Sequence, residues 1–443
     1  GIKLFAEAAE NARHNHNGRI SGEDAFKLHD TYGFPIDLTE LMAEEQGLTI
    51  DVGEYERLMD EARTRARGLQ KEPLGYVTWV DKGQPTNDIF KYSQFSIEAA
   101  MTSCFPATPY DVESGLIEVA EGEKCDIHLD KTCFYAEQGG QVGDQGEIEG
   151  EGWKANVLDT RIAGISIAHS CLIISGKLRH RDIGGEKVVA RVSEPPRNST
   201  MKNHTATHVL NWALREVLEI EGGGKVDQKG SLVDPEKTRF DFSHNKPLSD
   251  EELDRIEKLC GEQIAAKLDV FAATQEKDFV DQKKALEINT LRAVFGEKYP
   301  PTVRVVSIGA SLEDLLRHPK NPKWMKYSVE FCGGTHVKNT AEIEAFVLTH
   351  EEGVAKGVRR LLGISRKAAR EAEALGQQLI AEVEAIRRVG SAHLAPTSDQ
   401  KGGHSPPYTL ADFQKRLVDA AIPLRLRRQI QTALIDVQKV MKE

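Results

Sequence analysis

Two pairs of side chains in this sequence have the types and spacing to hold a metal ion. His204 and His208 stand four residues apart in "NHTATHVLNWAL", and Cys332 and His336 repeat that spacing in "CGGTH". On a helix, positions four apart share a face, so both rings of the first pair can reach one ion. Thiolate and imidazole together suit zinc, a borderline-soft ion that takes four such donors tetrahedrally. Each pair alone carries little weight, since HxxxH is usually a surface or capping pair and a lone cysteine usually a small buried hydrophobe. Their occurrence in one stretch of alternating helices and strands, beside Gly333 and Gly334 that permit close backbone approach, favours a shared zinc site. The chemistry differs from that of common zinc peptidases. Those place a glutamate directly after the first histidine as general base, and here the position is Thr205.

The elements that must position these groups can be read from pattern. Residues 1–75 read as helical: Ser21 followed by Asp24 resembles a capping box, a "YGFP" turn ends that helix, Asp37 can cap a second, and Gly47 can close it with φ > 0. "EYERLMDEARTRARGLQK" continues as a charged helix. From about 76 to 195, short alternating runs ("GLIEVA", "CDIHLD", "KVVARV") separated by glycine-rich turns such as "EQGGQVGDQG" predict a small antiparallel barrel ending near Pro195-Pro196. Residues 196–365 read as a mixed α+β domain. There Ala206, Leu210, Ala213, Leu214, Val217 and Leu218 fall at helical spacing, "GSLV", "TRFDFSH", "TVRVVSIG" and "EIEAFVLTHEEG" read as strands, and Ser249 caps a helix. The tail, 366–443, predicts two long helices joined by a flexible connector around 395–408.

With 443 residues and 40% hydrophobic content the chain can build roughly two to four domains, each with its own core. Six scattered cysteines with no CxxC pair (Cys104, Cys125, Cys133, Cys171, Cys260, Cys332) argue for a reducing, cytoplasmic setting, and no apolar run approaches the roughly 18 residues of a membrane span. A net charge of -11 disfavours indiscriminate nucleic-acid binding, so any RNA contact must be local; "PPRNSTMKNH" (195–204) and "AKGVRRLLGISRKAAR" (355–370) are the candidate stretches.

In their order, "NHTATHVLNWAL", "VDQKGSLV", "YSVEFCGGTHVKNT" and "GVAKGVRR" resemble the editing domain of alanyl-tRNA synthetases. "GEDAFKLHDTYGFPIDLTELMAEEQGLTID" is similar to the distal part of that family's helical tRNA-recognition domain, and "TCFYAEQGGQVGDQG" resembles the barrel preceding editing. The resemblance covers about residues 15–370 and is looser in the tail, which in the family supports homodimerisation. It implies a multidomain α+β chain: recognition helices (1–75), β-barrel (76–195), zinc-containing editing domain (196–365) and a C-terminal helical hairpin (366–443). It also implies a segment of a longer synthetase, whose class II aminoacylation domain would precede residue 1 and attach alanine to tRNA(Ala) using ATP.

The activity implied is hydrolysis of tRNA(Ala) wrongly charged with serine or glycine. A pocket sized for alanine cannot sterically exclude glycine, and an added hydroxyl is rejected by little more than ~100-fold without editing. By resemblance His204, His208, Cys332 and His336 are the zinc ligands, Thr207 and Gln228 make catalytic polar contacts to the misplaced aminoacyl group, and Gly333 and Gly334 with Arg359 and Arg360 bind substrate, the arginines near the phosphates of the tRNA 3′ end. An ester is easier to hydrolyse than a peptide, which accounts for the missing glutamate. At this level the ion is equally compatible with a Lewis-acid role and with organising the pocket.

Overall fold

The computed structural model describes residues 2–15, 18–30, 39, 43, 46–55, 57–58, 84–107, 116–181, 185–294, 299–392 and 410–440. The chain divides into two compact units, Gly1–Thr78 and Trp79–Glu443. The first contains α1 (Ile2–Asn15), β1 (Arg19–Ile20), α2 (Gly22–Asp30) and β2 (Thr49–Ile50). Ser21 starts α2 as the spacing predicts: its Oγ accepts from the Asp24 amide at 3.1 Å and donates to the Asp24 carboxylate at 2.9 Å. Gly47 takes φ +70°, and the chain returns to pair β2 in parallel with β1, a contact that helical periodicity does not foretell. Phe5, Ala9, Ala12, Ile20, Leu28 and Leu48 form the core of this unit. The "YGFP" turn, the Asp37 cap and most of the charged helix expected over 54–71 lie outside the described residues.

The second unit opens with strands β3 (Ser96–Pro106), β4 (Leu116–Ala120), β5 (Lys124–Leu129), β6 (Gly146–Gly150), β7 (Trp153–Ala163), β8 (Ser166–Arg181) and β9 (Glu186–Val192). Their order β8-β5-β3-β9-β6-β7 closes through β7–β8 pairing into a six-stranded antiparallel barrel, and β4 adds to the far end of β8. Closure removes the edges that would otherwise pair with other chains. Alternation puts Met101, Ile127, Leu129, Ile148, Ala155, Ile173 and Ala190 inside. Cys104, Cys125, Cys133 and Cys171 pack there as small hydrophobes.

After β9 comes α3 (Glu194–Leu214). The sequence reads Pro195-Pro196 as a break, but both prolines sit in the first turn of α3. There a missing N–H costs nothing, because the first turn has no acceptors for it, so the pair begins the helix instead of interrupting the chain. A π-helical segment over Arg215–Glu221 follows, then β10 (Gln228–Val233), β11 (Thr238–Ser243) and α4 (Asp250–Ala265). Ser249 and Glu252 cap α4 reciprocally. Beyond it lie β12 (Val270–Ala272), β13 (Val280–Asp281), α5 (Gln282–Ala285), β14 (Leu291–Arg292), β15 (Thr302–Val303), β16 (Val305–Ile308), α6 (Leu312–Arg317), β17 (Ser328–Phe331), β18 (Phe346–Ala355) and β19 (Val358–Ser365). Two four-stranded sheets result, ordered β10-β11-β19-β18 and β12-β16-β17-β14. The apolar face of α3, including Ala206, Leu210, Ala213, Leu214, Val217 and Leu218, packs with Phe240, Phe242, Ile256 and Leu361 in one core.

The tail differs from the predicted pair of long helices. Among the described residues it forms three: α7 (Arg366–Ala392), α8 (Leu410–Asp419) and α9 (Leu424–Val440). Pro423 separates the last two, since a proline inside a continuous helix would lose a hydrogen bond and clash with the preceding turn. Leu379, Val383, Phe413, Leu417, Ile430 and Leu434 form their shared core, and Arg425 ties α9 to Glu257 of α4 at 2.7 Å and Glu373 of α7 at 2.5 Å. The 395–408 connector lies outside the described residues.

Candidate metal centre and cleft

Helix α3 carries His204 and His208 on one face. The loop after β17 brings Cys332 and His336 to them, and the four donor atoms lie within 4.8 Å of one another. His204 Nε2 is 3.4 Å and His336 Nε2 3.3 Å from Cys332 Sγ. Zinc bonds of about 2.0 Å to nitrogen and 2.3 Å to sulfur put tetrahedral N···S edges near ~3.5 Å, so this spacing fits the ion. Behind the site the other ring nitrogens of His204 and His336 are hydrogen-bonded, as metal-bound histidines require, while that of His208 faces a carboxylate without a hydrogen bond. His204 Nδ1 is 2.8 Å from Gln141 Oε1, His336 Nδ1 is 3.2 Å from Thr205 Oγ1, and His208 Nδ1 lies 3.5 Å from a Glu330 carboxylate oxygen. Thr205, the residue in place of the peptidase glutamate, thus orients a donor.

Burial sets the protonation states. Removal from solvent, with repulsion from neighbouring rings and Arg304, holds His204 and His336 well below the usual imidazole range, and removal from solvent with Arg304 takes His208 down to about 3. All three rings are therefore neutral, with a lone pair to offer. Burial pushes the Cys332 thiol up to about 11, opposed by Arg304 and the Gly334 amide, so its conversion to thiolate awaits a cation. Burial also raises the Glu330 carboxyl to about 7, opposed by hydrogen bonds from Ser328 and Asn211 at 3.0 Å each.

Above these residues opens a cleft of about 690 Å³. Thr207, Gln228, Gly333 and Gly334 line it, together with Tyr92, Arg304 and Glu330, which pattern alone did not single out. The Thr207 hydroxyl meets the Asn203 carbonyl at 2.9 Å and Thr238 Oγ1 at 2.5 Å, and Gln228 Nε2 donates to Ser231 at 3.3 Å. Gly334 is a steric necessity: a Cβ there would fall 2.0 Å from His204 Cε1. Arg359 and Arg360 are not brought to this cleft. They face acids across the sheet, Arg359 bonding Glu351 (2.8 and 3.0 Å) and Arg360 bonding Asp241 (2.8 and 3.0 Å). In the other basic stretch Arg197 is buried against Asp144 and Lys202 pairs with Glu344.

Gln141 is the main omission of the sequence reading, which treated "EQGGQVGDQG" only as a barrel turn. Fully buried, it accepts from the Thr335 amide at 2.9 Å while donating to the Thr335 hydroxyl at 2.9 Å, so one side chain spans His204 and the "CGGTH" loop. Gly140 lets the turn approach β10; with φ +85° and a would-be Cβ 2.2 Å from Ser231 Oγ, it admits no side chain. The paired glycines were the available signal.

The family model for class II (A) tRNA synthetases matches residues 1–195, and that for the second additional domain of threonyl and alanyl tRNA synthetases matches 303–361, the segment containing Cys332 and His336. The protein is thus of the class II tRNA synthetase kind. It is 42% identical over 401 residues to the mitochondrial alanine-tRNA ligase of Saccharomyces cerevisiae, covering 88% of this chain and 39% of that protein. It is 34% identical over 456 residues to the alanine-tRNA ligase of Schizosaccharomyces pombe (100% and 45%), and 38% over 366 residues to that of Caldicellulosiruptor saccharolyticus (82% and 38%). The chain belongs to the alanyl-tRNA synthetase family, and it spans about two fifths of the length of these curated relatives.

Proposed function

We propose that the cleft is an editing site that hydrolyses seryl and glycyl esters of tRNA(Ala), with zinc held by His204, His208, Cys332 and His336. The observation that supports this reading most is the meeting of those four donors at the base of a cleft whose walls carry Thr207 and Gln228. When bound, zinc supplies a fixed positive charge and Lewis acidity. Four protein donors would fill the tetrahedral shell of such an ion, so positioning of the substrate falls to the chain's own groups.

Thr207 is one of them. With its proton on the Asn203 carbonyl and one lone pair accepting from the Thr238 hydroxyl, it keeps a single acceptor position to offer a serine hydroxyl or an attacking water. Gln228 supplies an amide that both donates and accepts, and Gly333 and Gly334 keep the floor thin enough for the acyl group to approach. Glycine, smaller than serine, enters the same space. The parent enzyme is proposed to be a cytoplasmic alanine-tRNA ligase that uses ATP, and the tail helices to pair two copies, which sedimentation of the full chain would reveal.

The decisive experiment compares deacylation of seryl-tRNA(Ala) and alanyl-tRNA(Ala) by this chain and by its Cys332→Ala variant. Selective loss of the seryl ester, abolished in the variant, is expected. Equal rates on both esters, or no change in the variant, would overturn the reading.

A further inference from the structure

One cation of the cleft lacks the compensation that buried charges need. Arg304, between β15 and β16, is only 7% exposed. Its Nε donates to the Ala273 carbonyl at 2.7 Å, and Nη1 donates to the carbonyls of Cys332 at 2.9 Å and Gly334 at 2.7 Å. The guanidinium carbon lies 3.9 Å from the centroid of the Tyr92 ring, whose hydroxyl is itself anchored on the Gly333 carbonyl at 2.9 Å. Among the described residues, Nη2 has no hydrogen-bond partner and no carboxylate pairs with the group. Arg197, equally buried, shows the ordinary solution: it is paired with Asp144. Arg304 instead lines the cleft with its charge unspent.

We infer that Arg304 is the anion-receiving group of this cleft, and that its ligand is the phosphodiester joining the terminal nucleotide of the mischarged RNA to the preceding one. The inference rests on the editing reading above. An esterified amino acid has no free carboxylate and carries a cationic amine, so phosphates are the only anions on the reacting end. Arginine suits the task because its planar fork matches phosphate oxygens. Here three carbonyl contacts and the Tyr92 ring fix that plane and leave the Nη2 edge for a ligand. Glu330 offers no internal substitute, being engaged by Asn211 and Ser328 and set against His208. Since Arg304 also grips the loop that carries Cys332, phosphate binding and the placement of the ester above His204 depend on one side chain.

The test uses the zinc-loaded full chain and a pair of non-hydrolysable probes, amide-linked 3′-seryl adenosine with and without a 5′-phosphate, with binding followed by calorimetry. The phosphate should tighten binding by the parent about tenfold or more, as expected for charge-assisted hydrogen bonds. In Arg304→Gln and Arg304→Lys this increment should fall to less than about threefold, with zinc content measured alongside to show that the "CGGTH" loop is intact. Equal binding of the two probes by the parent overturns the inference, a result that requires no variant to fold. A full phosphate increment in a folded Arg304→Gln protein overturns it as well. If neither probe binds, hydrolysis of seryl-tRNA(Ala) separates the cases: with hydrolysis present only the Arg304 inference fails, and with hydrolysis absent the editing reading fails too.

Discussion

Replacing Gly334 by alanine tests the metal centre directly when zinc affinity, and not catalysis, is measured. The added methyl would lie 2.0 Å from His204 Cε1, 2.4 Å from Nδ1 and 3.0 Å from Gln141 Oε1. Carbon atoms rest at about 3.5–4.0 Å, so the imidazole must retreat by roughly 1.5 Å. Metal–ligand distances tolerate about ±0.2 Å, so His204 cannot follow that shift and remain a good ligand. Disturbing groups behind the ligands costs about 10–100-fold in metal affinity, or about 1.4–2.8 kcal/mol, and here a ligand moves as well, so that range is a lower bound. The assay is competition for zinc with a chromophoric chelator at neutral pH. Gly333→Ala is the control, because its Cβ would meet only the Tyr92 hydroxyl, at 4.0 Å. The expected result is at least a tenfold loss for Gly334→Ala and less than about threefold for Gly333→Ala. Equal zinc affinity in Gly334→Ala and the parent would refute the geometry and the assignment of His204 as ligand.

Three further outcomes are expected. Thr207→Ala should reduce kcat for seryl-tRNA(Ala) deacylation by about tenfold or more while leaving zinc stoichiometry at one; unaltered turnover would remove Thr207 from the chemistry. Arg359→Ala should lower stability by about 1–3 kcal/mol, because it leaves the buried Glu351 carboxylate with Arg428 and the Leu248 amide as its remaining partners, and a thermal or denaturant melt that matches the parent would contradict that role. His169 in the barrel is held neutral between Thr132 Oγ1 (2.8 Å) and the Ile127 carbonyl (2.9 Å), and burial lowers it to about 4. Because the unfolded chain takes up this proton near pH 6.5 and the folded chain only near 4, the contribution of His169 to stability should be full above 6.5 and fall by about 3 kcal/mol as pH drops through that window. Denaturant melts of His169→Gln should show a correspondingly shallower slope there; an unchanged slope would mean that other groups set it.

Much of the local structure was legible in the chain because it depends on neighbours. The Ser21 and Ser249 caps, the left-handed Gly47, the alternating barrel strands and the shared face of His204 and His208 all follow from spacings of two to four residues. The four donors could be nominated as a set by their chemistry, since thiolate and imidazole in one domain suit one ion. Pro195-Pro196 marks the end of the barrel strands, as read, but the pair also begins α3, because a proline pair looks the same in the first turn of a helix as in a linker.

Tertiary structure alone decided what surrounds the donors. Gln141 reaches His204 across 63 residues and Thr335 across 194; the paired glycines beside it mark a close backbone approach, but nothing local names the partners. Arg359 and Arg360 follow a glycine-containing turn and read as candidate phosphate-binding groups, yet cross-strand register sets Arg360 opposite Asp241, and Glu351 of β18 comes within reach of Arg359. Arg304 has the opposite history: unremarkable inside a strand-like run, it is left by the fold with three carbonyls, an aromatic ring and no acid. Charge in a sequence is only a count. Whether a charge is spent or available is settled by what the fold brings within about 4 Å of it.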